Sequence, residues 1–380
     1  MESSKNPKHS LDHLKVEGFK SIKHLDIKLR HLNILIGANG SGKSNFIDFF
    51  RLMRAMMELQ LPGIAGTSLQ VYVADGGGSD NFLYLGPKVT PKISIEIKFG
   101  LNQYRLNLVP TVEEKFVISE EARYYEGGTC SWWDLGSGHT RPVLLSEKNL
   151  GGVSGGRRSI SSYIYEAISS WKIYHFHDTG KLAPMRRSEV IDDNEYLRFD
   201  GANIAPFLYH LKKNYEAEYQ QIVDTIKLVT PFFDDFVLKP GNQDKVRLNW
   251  RQKGSDYPFK PSHLSDGTLR FICLVTALLQ PDPPSTIIID EPELGLHPFA
   301  IDILAELIQA ESERMQIIVS TQSPALVDCF EPEDIIVVNR DDGASVFRRL
   351  NAEELNLWLE EYSLGDLWRR NIIAGGPVHE

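Results

Sequence analysis

The chain has 380 residues, 42% of them hydrophobic and 24% charged, enough to bury a substantial core in one large split domain or two ordinary ones. A formal net charge of -10 argues against a surface steered broadly toward nucleic acid, and the 3 cysteines, Cys130, Cys273 and Cys329, are too scattered for a disulfide framework or a CxxC zinc site. No apolar run approaches the ~18 residues of a membrane span. The opening MESSKNPKHSLDHLK has no apolar core behind its lysines, so no membrane partner and cytoplasmic residence are expected.

In chain order, LDHLKVEGF and SIKHLDIKL alternate apolar and polar positions, as half-buried antiparallel strands do. HLNILIG reads as a buried strand, followed by a glycine-rich turn and an amphipathic helix, SNFIDFFRLMRAMMELQ. DGGGSD, from Asp75 to Asp80, is a loop. Strands return in ISIEIKF, QYRLNLV and KFVISEEARYY, an antiparallel meander, and the glycine- and serine-rich stretch from Gly151 to Ser162 marks a flexible loop or insertion. IYHFHD is a short strand, and Gly201 to Thr230 is helical. The last third alternates helix and buried strand: FICLVTALL, STIIIDE, FAIDILAELIQAESER, QIIVSTQ, DIIVVNR. That alternation implies a mainly parallel sheet covered on both faces.

Three motifs carry chemistry. Gly37 to Ser44 reads GANGSGKS, a complete GxxxxGK[ST] P-loop between a strand and a helix. Its glycines let backbone N–H groups curl around phosphates, with Lys43 reaching the β- and γ-phosphates of ATP and Ser44 ligating Mg²⁺. Ile287 to Glu291 reads IIIDE, a Walker B strand in which Asp290 holds Mg²⁺ and Glu291 orients or deprotonates the attacking water. Leu264 to Arg270 reads LSDGTLR, a variant of the LSGGQ signature placed ahead of Walker B; taken alone it is also an ordinary helix N-cap.

The order GANGSGKSN, LSDGT, IIIDEPELGLHP, VSTQSP resembles the ABC-type ATPases of the RecF/SMC/OLD group. HFHDT, LRFDGANIAPFLY, PFFDDFVL and YSLGDLW look like stand-alone bacterial predicted ATPases of that group. The resemblance implies an α/β fold, a P-loop NTPase head of the ABC type with an antiparallel β-subdomain and an inserted lobe. It divides the chain at 11–90 (Walker A part), 91–200 (β-rich lobe), 201–262 (helices leading to the signature) and 263–380 (signature, Walker B, D-loop and switch). It implies a nucleotide site of Gly37, Asn39, Gly40, Ser41, Gly42, Lys43, Ser44 and Asn45. Ser265, Asp266 and Gly267 of a second copy complete it in a head-to-tail homodimer or higher homo-oligomer. Lys43, Glu291 and Gln322 are the catalytic candidates, and Ser44 and Asp290 the metal ligands. Gly295 to Pro298 fall in the D-loop. Gln322 stands where many relatives carry a switch histidine; glutamine cannot become a cation, which favours slow hydrolysis. The usual Q-loop glutamine has no assigned position, with Gln70 or the DGGGSD loop as candidates.

The remaining features read as structural. His175 and His177 alternate as metal ligands would, but lack a third ligand, and a structural strand is preferred. Arg157, Arg158, Arg186 and Arg187 read as solvated loop residues, and Trp132 and Trp133 either pack on the meander or form a contact surface. No GxSxG, HExxH or TOPRIM-like acidic cluster is apparent, so nuclease chemistry in this chain is not expected. The implied role is a regulatory ATPase in DNA repair or phage defence acting on a separately encoded nuclease or toxin. The alternatives are a RecF-like DNA binder, a scaffold that holds ATP, and, least favoured, a transporter motor.

Overall fold

A computed structural model describes residues 9–58, 68–128, 131–147 and 159–373. Two six-stranded sheets organise it. The first is the core sheet, in which strands Ile335–Asp341, Leu32–Ile36, Gln316–Thr321, Thr286–Asp290 and Lys172–Tyr174 run parallel in that order. Ala344–Arg349 closes one edge antiparallel. The central strands are buried along their whole length because helices and the second sheet cover both faces.

Strand periodicity divides the interior in two. Ile34, Ile36, Ile287, Ile289, Ile317 and Val319 point into one core, shared with helices Ile204–Asn214, Glu216–Val229, Asp266–Leu278 and Pro298–Glu311. Their alternates Leu35, Ile288 and Ile318 point into the other, shared with helices Lys43–Met57 and Ile160–Ser170 and the second sheet. The helix Asp266–Leu278 is buried from Leu269 to Leu278, which explains why that stretch is apolar on every side apart from Arg270 and Thr276.

The second sheet is antiparallel. His13–Phe19 pairs with Ile22–Lys28 on one side and with Ile93–Phe99 on the other, and the meander continues through Asn102–Pro110, Phe116–Tyr125 and Trp133–Gly136. The 91–200 segment is therefore shared between both sheets: its meander extends the N-terminal hairpin, while Lys172–Tyr174 is an edge of the core sheet. The apolar face of His13–Phe19 favours this pairing, since Val16 sits opposite both Leu25 and Ile95 and all three are buried. Among the described residues no helix is long and apolar enough to cross a membrane. Cys273 is buried and Cys329 half-buried, both as free thiols; Cys130 lies outside the described residues.

Candidate functional site

Parallel register brings the chemistry to one edge. Asp290 lies opposite Ser320, which lies opposite Leu35, so the Walker B carboxylate, the switch turn and the start of the P-loop emerge together at the C-terminal ends of their strands. Asn39, Gly40, Ser41, Gly42, Lys43, Ser44 and Asn45 line one pocket of about 230 Å³ with Asp290, Glu291, Ser320 and Gln322.

The loop requires glycine at two places. A Cβ on Gly37 would stand 2.3 Å from the Val338 carbonyl oxygen. Gly42 has φ +115°, and a Cβ there would stand 1.9 Å from Ser345 Oγ. Ser345 is the strut beneath the loop: its hydroxyl donates to the Ser41 carbonyl at 2.6 Å and contacts Ser21 Oγ at 2.7 Å. The Asn45 amide donates to Ser21 Oγ at 2.7 Å, so its side chain braces the loop from below. Helix Lys43–Met57 starts at Gly42 with no side-chain cap, leaving its leading N–H groups for an anion.

Lys43 is buried, its Nζ donating to the Gly37 and Ala38 carbonyls at 2.6 and 3.1 Å. Burial lowers the pKa of its ammonium, opposed by Glu291, Asp290 and Glu293 in that order. Ser41 Oγ and Ser320 Oγ are buried without a partner. Two orphaned hydroxyls and a lysine facing three carboxylates fit a triphosphate, whose oxygens would satisfy them. Among the described residues no group of three His, Cys, Asp or Glu could hold a metal alone. Ser44 and Asp290 line the same pocket, and one hydroxyl with one carboxylate would suit a Mg²⁺ ion shared with phosphate and water.

Glu291 adopts a left-handed backbone at φ +45°, its N–H donating to the Ser320 carbonyl at 2.7 Å. The Gln322 amide donates to the Glu291 carboxylate. Sequence reasoning missed Glu293, which holds this switch. Its Oε1 accepts from Thr321 Oγ1 at 2.6 Å and from the Gln322 N–H at 3.1 Å, and burial raises its pKa above the usual carboxylate range.

Ser265, Asp266 and Gly267 lie outside this pocket. Ser265 Oγ caps its helix by accepting from Thr268 N–H at 3.0 Å, and Asp266 is exposed and paired with Arg186 at 2.7 Å. Gly267 packs on the D-loop, where a Cβ would stand 2.3 Å from the Gly295 carbonyl oxygen. The reading of Arg186 as solvated is corrected: its side chain is 8% exposed and also donates to the carbonyls of Thr179, Pro261 and Leu264, fastening the signature loop. Arg187 does remain exposed, on the Leu182 carbonyl; Arg157 and Arg158 lie outside the described residues. Trp133 is 50% exposed beside Arg123, and Trp132 packs against Tyr124 and Arg105.

Neither Q-loop candidate reaches the site. Gln70 exchanges hydrogen bonds with the Phe116 backbone, and Ser79 of the DGGGSD loop donates its N–H to the Glu114 carbonyl. The segment that follows the strand Lys172–Tyr174, beside Walker B, brings two histidines to Asp290. His177 Nε2 lies 3.0 Å from the Asp290 carbonyl oxygen, His175 Nδ1 lies 3.9 Å from Asp290 Oδ2, and the two rings pack at 3.8 Å. Arg270, from the signature helix, donates to the Phe176 and His177 carbonyls at 2.9 and 3.1 Å. A continuous chain of contacts thus joins the signature helix to Asp290.

A comparison with curated proteins finds no match. Among solved structures, an Smc head bound to the C-winged helix domain of ScpA aligns at 18% identity and a TM-score of 0.54, covering 92% of this chain and 99% of that one. The Pyrococcus furiosus Smc head domain with an extended coiled coil, bound to the C-terminal domain of ScpA, aligns at 17% identity and 0.52, covering 93% and 99%. The fold is therefore that of an SMC-type P-loop head. The family model described as "AAA domain, putative AbiEii toxin, Type IV TA system" matches residues 32–328, more than half of the chain and all three nucleotide motifs, so the chain belongs to that family of ABC-type, SMC-like AAA ATPases.

Proposed function

We propose that the protein binds and hydrolyses ATP, and that two copies close head to tail to do so. The single observation that carries this reading is the division of the site: the P-loop, Asp290, Glu291 and Gln322 line one pocket around Lys43, while Ser265 and Gly267 sit outside it on a capped helix start. A second copy would bring those groups to the γ-phosphate. Lys43 neutralises phosphate charge, Glu291 accepts the proton of the attacking water, and Gln322 holds Glu291 until the phosphate arrives. Mg²⁺ held by Ser44 and Asp290 supplies charge neutralisation on the phosphate oxygens. Loss of the γ-phosphate removes the bridge between copies and reopens them.

The Gln322 contact supports slow turnover, and so a switch that holds its closed state for long. The family description names a putative toxin of a type IV toxin–antitoxin system, which supports a separately encoded partner; that this partner is a nuclease or toxin, and the setting cytoplasmic antiphage defence or DNA repair, is part of the proposal. The test is the mass of the Glu291→Gln protein in ATP and Mg²⁺ by light scattering. A doubled mass is expected; ATP bound at monomer mass would refute the head-to-tail reading.

A further inference from the structure

A second cleft, of about 880 Å³, adjoins the histidine strand, between the second half of helix Lys43–Met57, helix Ser68–Asp75, strand Lys172–Tyr174 and the loop at 196–200. That volume suits a nucleotide-sized ligand. Three of its cations are engaged: Arg51 with Asp48 at 2.7 Å, Arg54 with Glu58 at 3.2 Å, and Arg198 with Asp193 at 2.9 Å. Lys172 has no carboxylate partner among the described residues; its Nζ lies over the Tyr196 ring at 4.3 Å. Burial first, and then the nearby Arg54 charge, push its ammonium down to about 8, with Glu58 opposing only in part. Asp75 and Asp200 also line the cleft, and neither pairs with it. Tyr196 is 53% and Phe199 65% exposed, which leaves two aromatic rings in the wall of a charged cleft with room against them.

We propose that this cleft binds a nucleotide unit bearing a terminal phosphate, with the phosphate on Lys172 and the base against Tyr196 and Phe199. Aromatic rings beside unpaired positive charge are the chemistry that recognises a base and its phosphate together. The cleft also reports to the ATP pocket. The His175 N–H donates to the Phe199 carbonyl at 2.9 Å, and the same segment carries His175 and His177 to Asp290. Movement of the 196–200 loop onto a ligand pulls on the segment that packs against Asp290. Binding in the cleft stands without the ATPase reading; only this coupling rests on it.

The ligand has two sources of the same chemistry, a free nucleotide and the end of a nucleic-acid strand. Full-length protein is saturated with tripolyphosphate and Mg²⁺, which fill the phosphate pocket and bring no base to the cleft. AMP is then titrated by calorimetry, and short fluorescent single-stranded DNA, with or without a 5′-phosphate, by anisotropy. We expect AMP or the phosphorylated strand to bind, whichever is the source, and Lys172→Ala to weaken that binding by about tenfold. Lys172→Arg retains it, and Tyr196→Ala weakens it by about fivefold or more. Thermal stabilisation by tripolyphosphate stays at the wild-type level in all three variants, so a failed ATP pocket or an unfolded variant is read separately. Absence of binding by both probes, or phosphate-dependent binding that Lys172→Ala leaves intact, overturns the assignment.

Discussion

Glu293 offers the sharpest test of how the switch is held, because two substitutions of similar size separate its charge from its hydrogen bonds. The wild-type carboxylate is buried, accepts from Thr321 and the Gln322 N–H through one oxygen, and leaves Oε2 without a partner. Burial first, and then the nearby Glu291 charge, raise its pKa above the usual 4.5, while its hydrogen bonds pull the other way. The native state therefore binds this proton more tightly than the unfolded chain does. The stability it contributes is full below pH 4.5 and is lost as pH rises through the raised native value. Glu293→Gln keeps an acceptor for both donors and removes the buried charge. It should match or exceed wild-type stability at pH 8, with an advantage that shrinks toward pH 5. Glu293→Leu also removes the charge but strands the buried Thr321 hydroxyl, at a cost of about 1–3 kcal/mol. At this chain length that corresponds to a fall in melting temperature of about 1–4 °C. Thermal unfolding of the three proteins at both pH values is the assay, with ATP turnover as the functional readout. Turnover should stay within a few-fold of wild type in the Gln variant and fall in the Leu variant, whose switch turn has lost its anchor. Equal destabilisation of both variants at pH 8 would refute this account of Glu293 as an acceptor carrying a costly charge.

The other expectations concern the joints around the site. In Gly267→Ala the new Cβ must retreat from 2.3 Å to at least 3.0 Å from the Gly295 carbonyl oxygen. An overpacking cost of about 1–3 kcal/mol outweighs or cancels the ~1 kcal/mol helix preference for alanine, so ATP binding survives while ATP-dependent dimer mass is lost. A variant that dimerises normally would show that the signature and D-loop need not touch this closely. Gln322→His should raise the turnover rate, since imidazole can carry a cation to the γ-phosphate; unchanged or slower turnover in single-turnover kinetics would count against Gln322 as the brake. His177→Phe keeps a ring against His175 but loses the 3.0 Å contact with the Asp290 carbonyl. A loss of about tenfold in turnover with unchanged ATP affinity is expected of a residue that positions Asp290, and a loss of affinity alone would argue otherwise.

What could be read from the chain without coordinates follows from how far each interaction reaches along it. LNILI, TIIID and QIIVST declare themselves because strands covered on both faces need uninterrupted apolar runs, and these three are buried over nearly their whole length. The P-loop is legible for a similar reason: its spacing is local, Gly37 is demanded by the Val338 carbonyl beside it, and Gly42 by its positive φ and the Ser345 hydroxyl beneath it. Glu293 was hidden inside EPE, which looks like any acidic turn, and its burial depends on the switch strand folding over it. Arg186 looked solvated because its partners are mostly carbonyls of a loop some eighty residues away, and main-chain acceptors leave no trace in residue type. The histidines show the same limit most clearly. Their alternation was visible, yet the strand that carries them is three residues long and ends before them, so its period says little about where the rings go. His177 meets a backbone oxygen of Asp290, and Arg270 meets the backbone oxygens of Phe176 and His177. A chain of contacts in which each acceptor is main chain can be built from almost any sequence at the accepting end. Only its donors are specific, and a donor alone does not say which strand stands beside it. The parallel pairing of Lys172–Tyr174 with Thr286–Asp290 supplies that missing fact, and with it the reason why two histidines stand beside Asp290.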